Sequence, residues 1–192
     1  MGLTVQPSGA SCGATIIGVQ LNQSLSDDLI AEIRVHWLEH KVVAFPGQQL
    51  TPAQLVGFSE QFGEIGEDPF FGHIDEHPQV AAIQRNADET TSIFAEFFHS
   101  DWSFMPVPPA ATALYGITIP PVGGDTLFAD QVAAYEQMPD DLRGRAEDLT
   151  AIHSAALGYA PDGAYGEADQ ARGRSMKIVP SERALKTCEH PL

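Results

Sequence analysis

A stretch of eight residues, 97–104, constrains the fold of this chain more than any other. Its sequence, Phe-Phe-His-Ser-Asp-Trp-Ser-Phe, alternates aromatic or apolar residues with polar ones, which predicts a β-strand with one buried face. His99 and Asp101 would then point to the same side of the strand, with their Cα atoms about 6.7 Å apart. An imidazole and a carboxylate at this spacing can bind one metal ion, as two of the three ligands of a non-haem Fe(II) oxygenase. The alternative is that both side chains lie on the solvated face of a strand and bind nothing.

The charge balance of the chain narrows its range of partners. Its 192 residues include 26 acidic and 10 basic side chains, which gives a formal charge of −16. Nucleic acid is a poor match for such a surface, because phosphate contacts need Lys and Arg, and an anionic membrane is a poor match for the same reason. Cys12 and Cys188 stand near opposite ends and predict neither a disulfide framework nor a thiolate metal site. We see no leader peptide and no long apolar run, and therefore expect a soluble cytoplasmic protein.

The order of predicted elements indicates an α+β domain. Ser26 is typical of a helix N-cap, and Thr51, Pro52 and Gln54 together predict a second helix start. Several strands bounded by Gly and Pro follow, which favours a β-sandwich core in a single domain. The predicted strands are 13–21, 41–45, 80–84, 97–104, 111–119, 125–129, 151–153 and 176–179; the predicted helices are 26–40, 51–63, 131–138, 140–148 and a short turn at 181–187. We interpret residues 158–175, which are rich in Gly, Ala and charge, as a mobile loop or lid.

Five segments together resemble one enzyme family: Lys41–Phe45, the helix 51–63, Phe98–Phe104, Pro121–Thr126 and Ala134–Glu136. Through them the chain resembles the TauD/TfdA family of Fe(II)- and 2-oxoglutarate-dependent dioxygenases over nearly its whole length. The resemblance implies that residues 1–192 form a single domain. Its fold would be a double-stranded β-helix, or jelly roll, with flanking helices, and it would be incomplete at the C-terminus.

The resemblance also implies a set of site residues. His99 and Asp101 would be iron ligands, and Thr126 would hydrogen-bond the carboxylate of 2-oxoglutarate. The third ligand, a His, and the Arg that pairs with the distal carboxylate of 2-oxoglutarate would lie beyond residue 192. Thr126 has an alternative interpretation as a residue chosen only for its strand propensity.

Four positions are predicted to border the substrate because they match substrate contacts of taurine dioxygenase or flank the metal pair: Asp68, Phe71, Ala95 and Phe104. The negative charge of Asp68 would repel a sulfonate, so we expect taurine to be a poor substrate.

The remaining histidines are less informative than His99. We interpret His153 as a structural residue, and His190 has no evident scaffold in the sequence. His36 and His40 stand four apart on a predicted helix, a spacing that can bind metal, but the helix also fits an ordinary amphipathic pattern.

The function that the sequence favours is therefore an oxidoreductase that hydroxylates a small organic substrate with O2 and releases succinate and CO2. We expect Fe(II) as its cofactor and 2-oxoglutarate as its cosubstrate, and we expect residues 1–192 alone to be inactive. A homo-oligomer is left open. The alternative is a non-catalytic β-sandwich that binds a small molecule or a protein partner.

Overall fold

In the computed structural model, which describes residues 2–192, the chain divides into two units. The first unit contains the described residues up to Ile65 together with Ala113–Met138. The second contains Gly66–Thr112 and Pro139–Leu192. The prediction of one domain over residues 1–192 is not tested by this division and stays a prediction.

A three-stranded sheet and one long helix organise the first unit. Strand β1 (Thr4–Pro7) pairs antiparallel with β2 (Ala14–Ile17), which in turn pairs parallel with β3 (Val43–Ala44). Parallel neighbours need a crossover connection, and helix α1 (Asp27–His40) provides it between β2 and β3. The strands predicted at 13–21 and 41–45 are thus confirmed in shortened form, whereas β1 was not predicted.

Helix α1 begins where the sequence predicts. The Ser26 hydroxyl accepts a hydrogen bond from the backbone N–H of Leu29 at 3.3 Å, and two aspartates occupy the positive first turn. On the inner face, Ile33 is 1% exposed and packs in a core with Ile16, Val19 and Leu21. Burial of this apolar face, rather than helix propensity alone, stabilises a helix of this length.

Helix α2 (Pro52–Glu60) begins with a complete capping box. Thr51 Oγ1 accepts from the backbone N–H of Gln54 at 3.2 Å, and the Gln54 side chain accepts from the backbone N–H of Thr51 at 2.8 Å. Helix α3 (Gln131–Glu136) is capped by Asp130, whose carboxylate also lies 3.1 Å from Lys41 Nζ. Both helices confirm the sequence prediction.

The second unit contains short elements around an aromatic core. Its elements are the antiparallel pair β4 (His73–Ile74) and β5 (His77–Ala81), helix α4 (Asp140–Ala146), the antiparallel pair β6 (Thr150–Ser154) and β7 (Thr187–Pro191), helices α5 (Ala156–Tyr159) and α6 (Glu167–Gln170), and a 3₁₀ helix (Glu182–Leu185). The predictions of a strand at 151–153, of a helix at 140–148 and of a helical turn at 181–187 are confirmed, whereas the strand predicted at 80–84 overlaps β5 only at Val80 and Ala81. At 176–179 the structure has only an isolated bridge between Phe71 and Ile178.

The aromatic core, named the Phe70 cluster, consists of Phe70, Phe71, Phe104 and Tyr159. The rings of Phe70 and Tyr159 stack with centroids 4.8 Å apart, and Phe104 meets Phe70 edge-on at 5.6 Å. Such ring pairs add to the stabilisation that their burial provides.

Three predicted strands, at 97–104, 111–119 and 125–129, are wrong for the described residues. Residues 101–104 form a turn instead, and the other two segments are irregular. The alternating pattern supplies a face that a sheet could bury, but a strand also needs a hydrogen-bonded neighbour, and the described residues place none beside these segments. As a result, Phe97 is 80% exposed and Ile117 is 87% exposed.

The loop predicted at 158–175 contains the end of α5 and the whole of α6, and its mobility stays a prediction. Part of the segment is packed, because Asp169 is buried with the guanidinium of Arg174 against its carboxylate. The composition of the segment could not indicate that the charges of Asp169 and Arg174 pair in the interior.

The described residues thus contain helices and three small sheets, in agreement with the α+β prediction, and the jelly roll stays a prediction. Within residues 2–192, no helix combines the length and the apolar character needed to cross a membrane.

Candidate metal centre

A hydrogen bond to the backbone orients the imidazole ring of His99. Its Nδ1 lies 2.9 Å from the carbonyl oxygen of Phe97. A carbonyl can only accept, so Nδ1 carries the hydrogen and donates it. In a neutral imidazole Nε2 is then the unprotonated nitrogen, which is the form that binds metal.

Asp101 faces that nitrogen. Its Oδ1 lies 3.2 Å from His99 Nε2, and its Oδ2 accepts a hydrogen bond from Thr112 Oγ1 at 2.5 Å. A lone pair on Nε2 facing a carboxylate oxygen is unfavourable unless a proton or a metal ion lies between them. The two side chains are 54% and 46% exposed, so a cation from solvent can reach them.

The pair therefore fits a metal ion by its donor set. An imidazole nitrogen and a carboxylate oxygen are ligands of non-haem iron. Each is oriented by a hydrogen bond on its far side: His99 donates to the carbonyl of Phe97, and Asp101 accepts from Thr112. Outer partners hold metal ligands in place in this way. Sequence reasoning missed Thr112, because nothing in an irregular segment eleven residues away signals the contact.

Trp102 fixes the turn that follows Asp101. Its φ is 48°, an uncommon conformation for a bulky residue, and its indole Nε1 donates to Asp68 Oδ2 at 2.8 Å. The ring also packs directly against Gly66, where an added Cβ would lie 2.8 Å from Trp102 Cζ3. The turn is thus stabilised by the hydrogen bond to Asp68 and by packing of the indole against Gly66, where a larger residue would not fit.

Asp68, a predicted substrate contact, is extensively hydrogen-bonded within the protein. Its Oδ1 accepts from the backbone N–H groups of Phe70 and Phe71 at 2.7 and 2.8 Å, in addition to the bond from Trp102. Three of about four lone-pair sites of the carboxylate are therefore used. Its contact with substrate stays a prediction.

The other three predicted substrate residues lie in or beside the Phe70 cluster. Phe71 and Phe104 are members of it, and Phe71 also meets Phe94 edge-on at 5.5 Å. Ala95 is exposed at a φ of 53°, and its backbone N–H donates to the hydroxyl of Tyr165 at 3.0 Å. Tyr165 lies next to Tyr159, with ring centroids 5.7 Å apart. The structure therefore brings these three positions together, although their role toward substrate stays a prediction.

Tyr159, a member of the Phe70 cluster, is affected by the charges of Asp68 and of Asp101, which belongs to the metal pair. Burial raises the pKa of Tyr159 well above its ordinary value of 10, and the negative charges of Asp68 and, more weakly, Asp101 raise the pKa further. The hydroxyl therefore stays protonated at neutral pH and is available as a hydrogen-bond donor.

No third ligand joins the pair within residues 2–192. There, the one group of three His, Cys, Asp or Glu side chains close enough to share a metal is His36, Glu39 and His40. His153 lies on β6 with its ring 5.5 Å from that of His190, whose Nε2 lies 3.0 Å from the carbonyl of Met105. His190 thus has a scaffold in β7 that the sequence did not reveal.

Thr126 belongs to the first unit. It is exposed and follows a turn in which Gly123 and Gly124 both have positive φ, at 79° and 75°. Its bond to 2-oxoglutarate stays a prediction.

Comparison with known proteins assigns the chain to a family. Residues 4–192 match the family described as taurine catabolism dioxygenase TauD, TfdA family. The chain belongs to the TauD/TfdA family. The resemblance inferred from five short segments is thereby confirmed over nearly the whole sequence.

Relatives within the TauD/TfdA family differ in what they act on. The chain is 31% identical over 170 residues to the (S)-phenoxypropionate/alpha-ketoglutarate-dioxygenase of Sphingobium herbicidovorans, covering 85% of this chain and 59% of that one. It is 35% identical over 191 residues to an alkylsulfatase of Acinetobacter baylyi, covering 94% and 55%. The crystal structure of a taurine dioxygenase from Burkholderia xenovorans superposes with a TM-score of 0.72 at 32% identity, covering 100% of this chain and 58% of that one. The chain thus spans somewhat more than half the length of these TauD/TfdA relatives.

Proposed function

We propose that the protein is an Fe(II)- and 2-oxoglutarate-dependent dioxygenase that hydroxylates a small organic substrate and releases succinate and CO2. Membership of the TauD/TfdA family supports the reaction class. The single observation that carries the proposal to this chain is the 3.2 Å approach of His99 Nε2 to Asp101 Oδ1.

His99 and Asp101 would hold the iron through these two atoms. The hydrogen bond from His99 Nδ1 to the Phe97 carbonyl leaves Nε2 as the nitrogen that would bind the metal, and Thr112 donates to the other oxygen of Asp101. When bound, iron with 2-oxoglutarate supplies the oxidising chemistry with O2, and the protein supplies orientation and a shielded pocket. The third ligand would be a His outside residues 1–192, with Thr126 and a further Arg binding 2-oxoglutarate. In the full-length protein these parts would form one jelly-roll domain.

The substrate we infer is a small organic acid, amine or hydrophobic compound with an apolar portion. Relatives are named for phenoxypropionate, sulfate esters and 2,4-dichlorophenoxyacetate. The aromatic side chains of the Phe70 cluster suit the apolar portion of such a compound, and Tyr159 would stay protonated as a donor. Asp68 disfavours a sulfonate nearby, so taurine would be a poor substrate. The enzyme would act in the cytoplasm.

The test is iron binding by the full-length protein with Asp101→Ala. Each protein is loaded with Fe(II) without oxygen, freed of unbound metal by gel filtration and analysed for iron by mass spectrometry. We expect about one iron per chain in the wild type and little in Asp101→Ala, because the two-ligand pair is broken. The matched control is Asp162→Asn, an exposed carboxylate of the same unit, which should retain its iron. Unchanged iron in Asp101→Ala would remove the basis of the proposed site.

A second measurement separates the enzyme from a non-catalytic binding protein. The iron-loaded full-length protein is given 2-oxoglutarate and oxygen with a panel of aryloxy acids, sulfate esters and taurine, and succinate is measured. Succinate formation that depends on substrate and is lost in Asp101→Ala supports the dioxygenase. Iron binding without succinate from any of these compounds would favour the binding protein.

A further inference from the structure

We propose that His36, Glu39 and His40 form a second metal site, for a divalent transition ion such as Zn²⁺. All three lie on the last turns of helix α1, in the first unit. The inference rests on these residues alone and does not depend on the proposed dioxygenase activity.

Helical spacing brings the three ligand atoms together. Residues three and four apart share one face of a helix. Glu39 Oε2 lies 3.8 Å from His36 Nδ1 and 3.9 Å from His40 Nε2, and the three ligand atoms all lie within 4.8 Å of one another. The two imidazole rings are nearly parallel, with centroids 6.3 Å apart. Two histidines four residues apart on one helix face also bind zinc in the His-x-x-Glu-His class of metallopeptidases, where the Glu acts as catalytic base and not as a ligand.

His36 supplies an independent observation that a ligand belongs here. Its Nδ1 is buried and is, among the described residues, the one buried side-chain nitrogen or oxygen without a hydrogen-bond partner. Leaving such an atom unpaired costs free energy, and most buried polar atoms in proteins are paired. A metal ion on Nδ1 would remove that cost.

The electrostatic setting favours a cation. His40 is the final residue of α1, and the C-terminal end of a helix carries partial negative charge from the helix dipole. The two basic side chains closest in sequence are engaged elsewhere: Lys41 Nζ lies 3.1 Å from Asp130 Oδ2, and Arg34 donates to the carbonyl of Phe62 at 2.6 Å. Neither positive charge therefore pairs with Glu39.

The donor set selects the kind of metal. Two imidazoles and a carboxylate, with no thiolate, suit Zn²⁺ and its neighbours Co²⁺, Ni²⁺ and Cu²⁺. Tetrahedral zinc places its ligand atoms about 3.3 Å apart, so the two separations from Glu39 must close by roughly half an ångström. The Glu39 side chain is 63% exposed and can make that adjustment. The two imidazole nitrogens lie within 4.8 Å of each other and must approach by at most about 1.5 Å, through rotation of the rings. Three protein ligands would leave the fourth position to water.

The experiment must exclude the iron site, so it uses the full-length protein with His99→Ala and Asp101→Ala. Zn²⁺ binding is measured by titration calorimetry, and Co²⁺ is used as a spectroscopic probe because its visible absorption reports tetrahedral coordination. We expect one Zn²⁺ per chain. Added His36→Gln or His40→Gln should weaken binding at least about tenfold, since losing a ligand should cost no less than losing an outer partner of one.

Two further variants keep the test decisive. Glu39→Gln retains both imidazoles and should also weaken Zn²⁺ binding and reduce the Co²⁺ absorption, with the helix intact by circular dichroism. The matched control His73→Gln removes an exposed histidine of the other unit and should leave Zn²⁺ affinity unchanged. Equal Zn²⁺ affinity in the parent, His36→Gln and His40→Gln would overturn the proposal.

Discussion

A single hydrogen bond at His99 decides which of its nitrogens faces Asp101. Because Nδ1 donates to the Phe97 carbonyl, Nε2 is the nitrogen left to bind a metal. The type and spacing of His99 and Asp101 could be predicted from the sequence. The bonds that orient them could not, since Phe97 and Thr112 contribute through backbone geometry and an irregular segment that no periodic pattern describes.

Gly66 contributes to stability by leaving room for the indole of Trp102, and a substitution can test this contribution. Gly66→Ala would place a methyl group 2.8 Å from Trp102 Cζ3, so the indole must move and its bond to Asp68 weakens. We expect a loss of about 1–3 kcal/mol in the free energy of unfolding, as for other overpacked positions. Urea unfolding followed by fluorescence measures it.

Gly57→Ala is the matched control for that substitution. Gly57 lies within α2, and a Cβ there would meet nothing within 4 Å. The same change should therefore stabilise the protein, by up to about 1 kcal/mol, through better helix propensity. If both substitutions changed stability alike, the close packing of Gly66 against Trp102 would not be limiting.

At the scale of elements, Glu89 joins the loop 85–92 to the segment after α6. Its carboxylate accepts from the hydroxyl and the backbone N–H of Ser175 and from the hydroxyl of Thr91, and it pairs with Arg85 at 3.6 Å. The hydroxyl of Ser175, followed by that of Thr91, lowers the pKa of Glu89 from 4.5 to about 2. This network is one reason why the segment 158–175 is packed.

The lowered pKa of Glu89 predicts a pH dependence of stability. A carboxylate whose pKa is lower in the folded state stabilises the protein fully above its unfolded pKa, and that stabilisation is lost as the pH falls through the folded value. We therefore expect the contribution of Glu89 to decline between about pH 4.5 and pH 2. Glu89→Gln should reduce the slope of unfolding free energy against pH in that window. The exposed Asp88→Asn should not; if both variants kept the wild-type slope, the bonds to Ser175 and Thr91 would not be responsible.

Helices were easier to predict than strands, for a local physical reason. The start of α1 depends on Ser26, and the start of α2 depends on Thr51 and Gln54, all within one turn of the helix that they cap. The segments 97–104, 111–119 and 125–129 depend instead on neighbours that could be anywhere in the chain. Their alternation describes a surface that could be buried, but it contains no information on whether a partner strand is present.

For the whole molecule, we expect residues 1–192 alone to give no 2-oxoglutarate turnover. The described residues bring only two ligands to the metal pair, and they leave large apolar side chains such as Phe97 and Ile117 more than three-quarters exposed. The polypeptide should therefore bind iron weakly and self-associate. Succinate measurement after anaerobic Fe(II) loading, with sedimentation velocity on the same sample, tests both expectations. Turnover that is abolished by His153→Ala or His190→Ala would mean that the third ligand lies within these residues.

Each of the two units contains one tryptophan, which can serve as its fluorophore. The sequence has two tryptophans, and Trp37 belongs to the first unit while Trp102 belongs to the second. Trp37 meets Phe62 edge-on at 6.2 Å, whereas the indole of Trp102 is bonded to a carboxylate, so their emission spectra should differ. A Trp37→Phe protein reports only on the second unit, and a Trp102→Phe protein only on the first. A single cooperative domain requires the two emission curves to share one denaturant midpoint, and separate midpoints would mean that each unit melts independently.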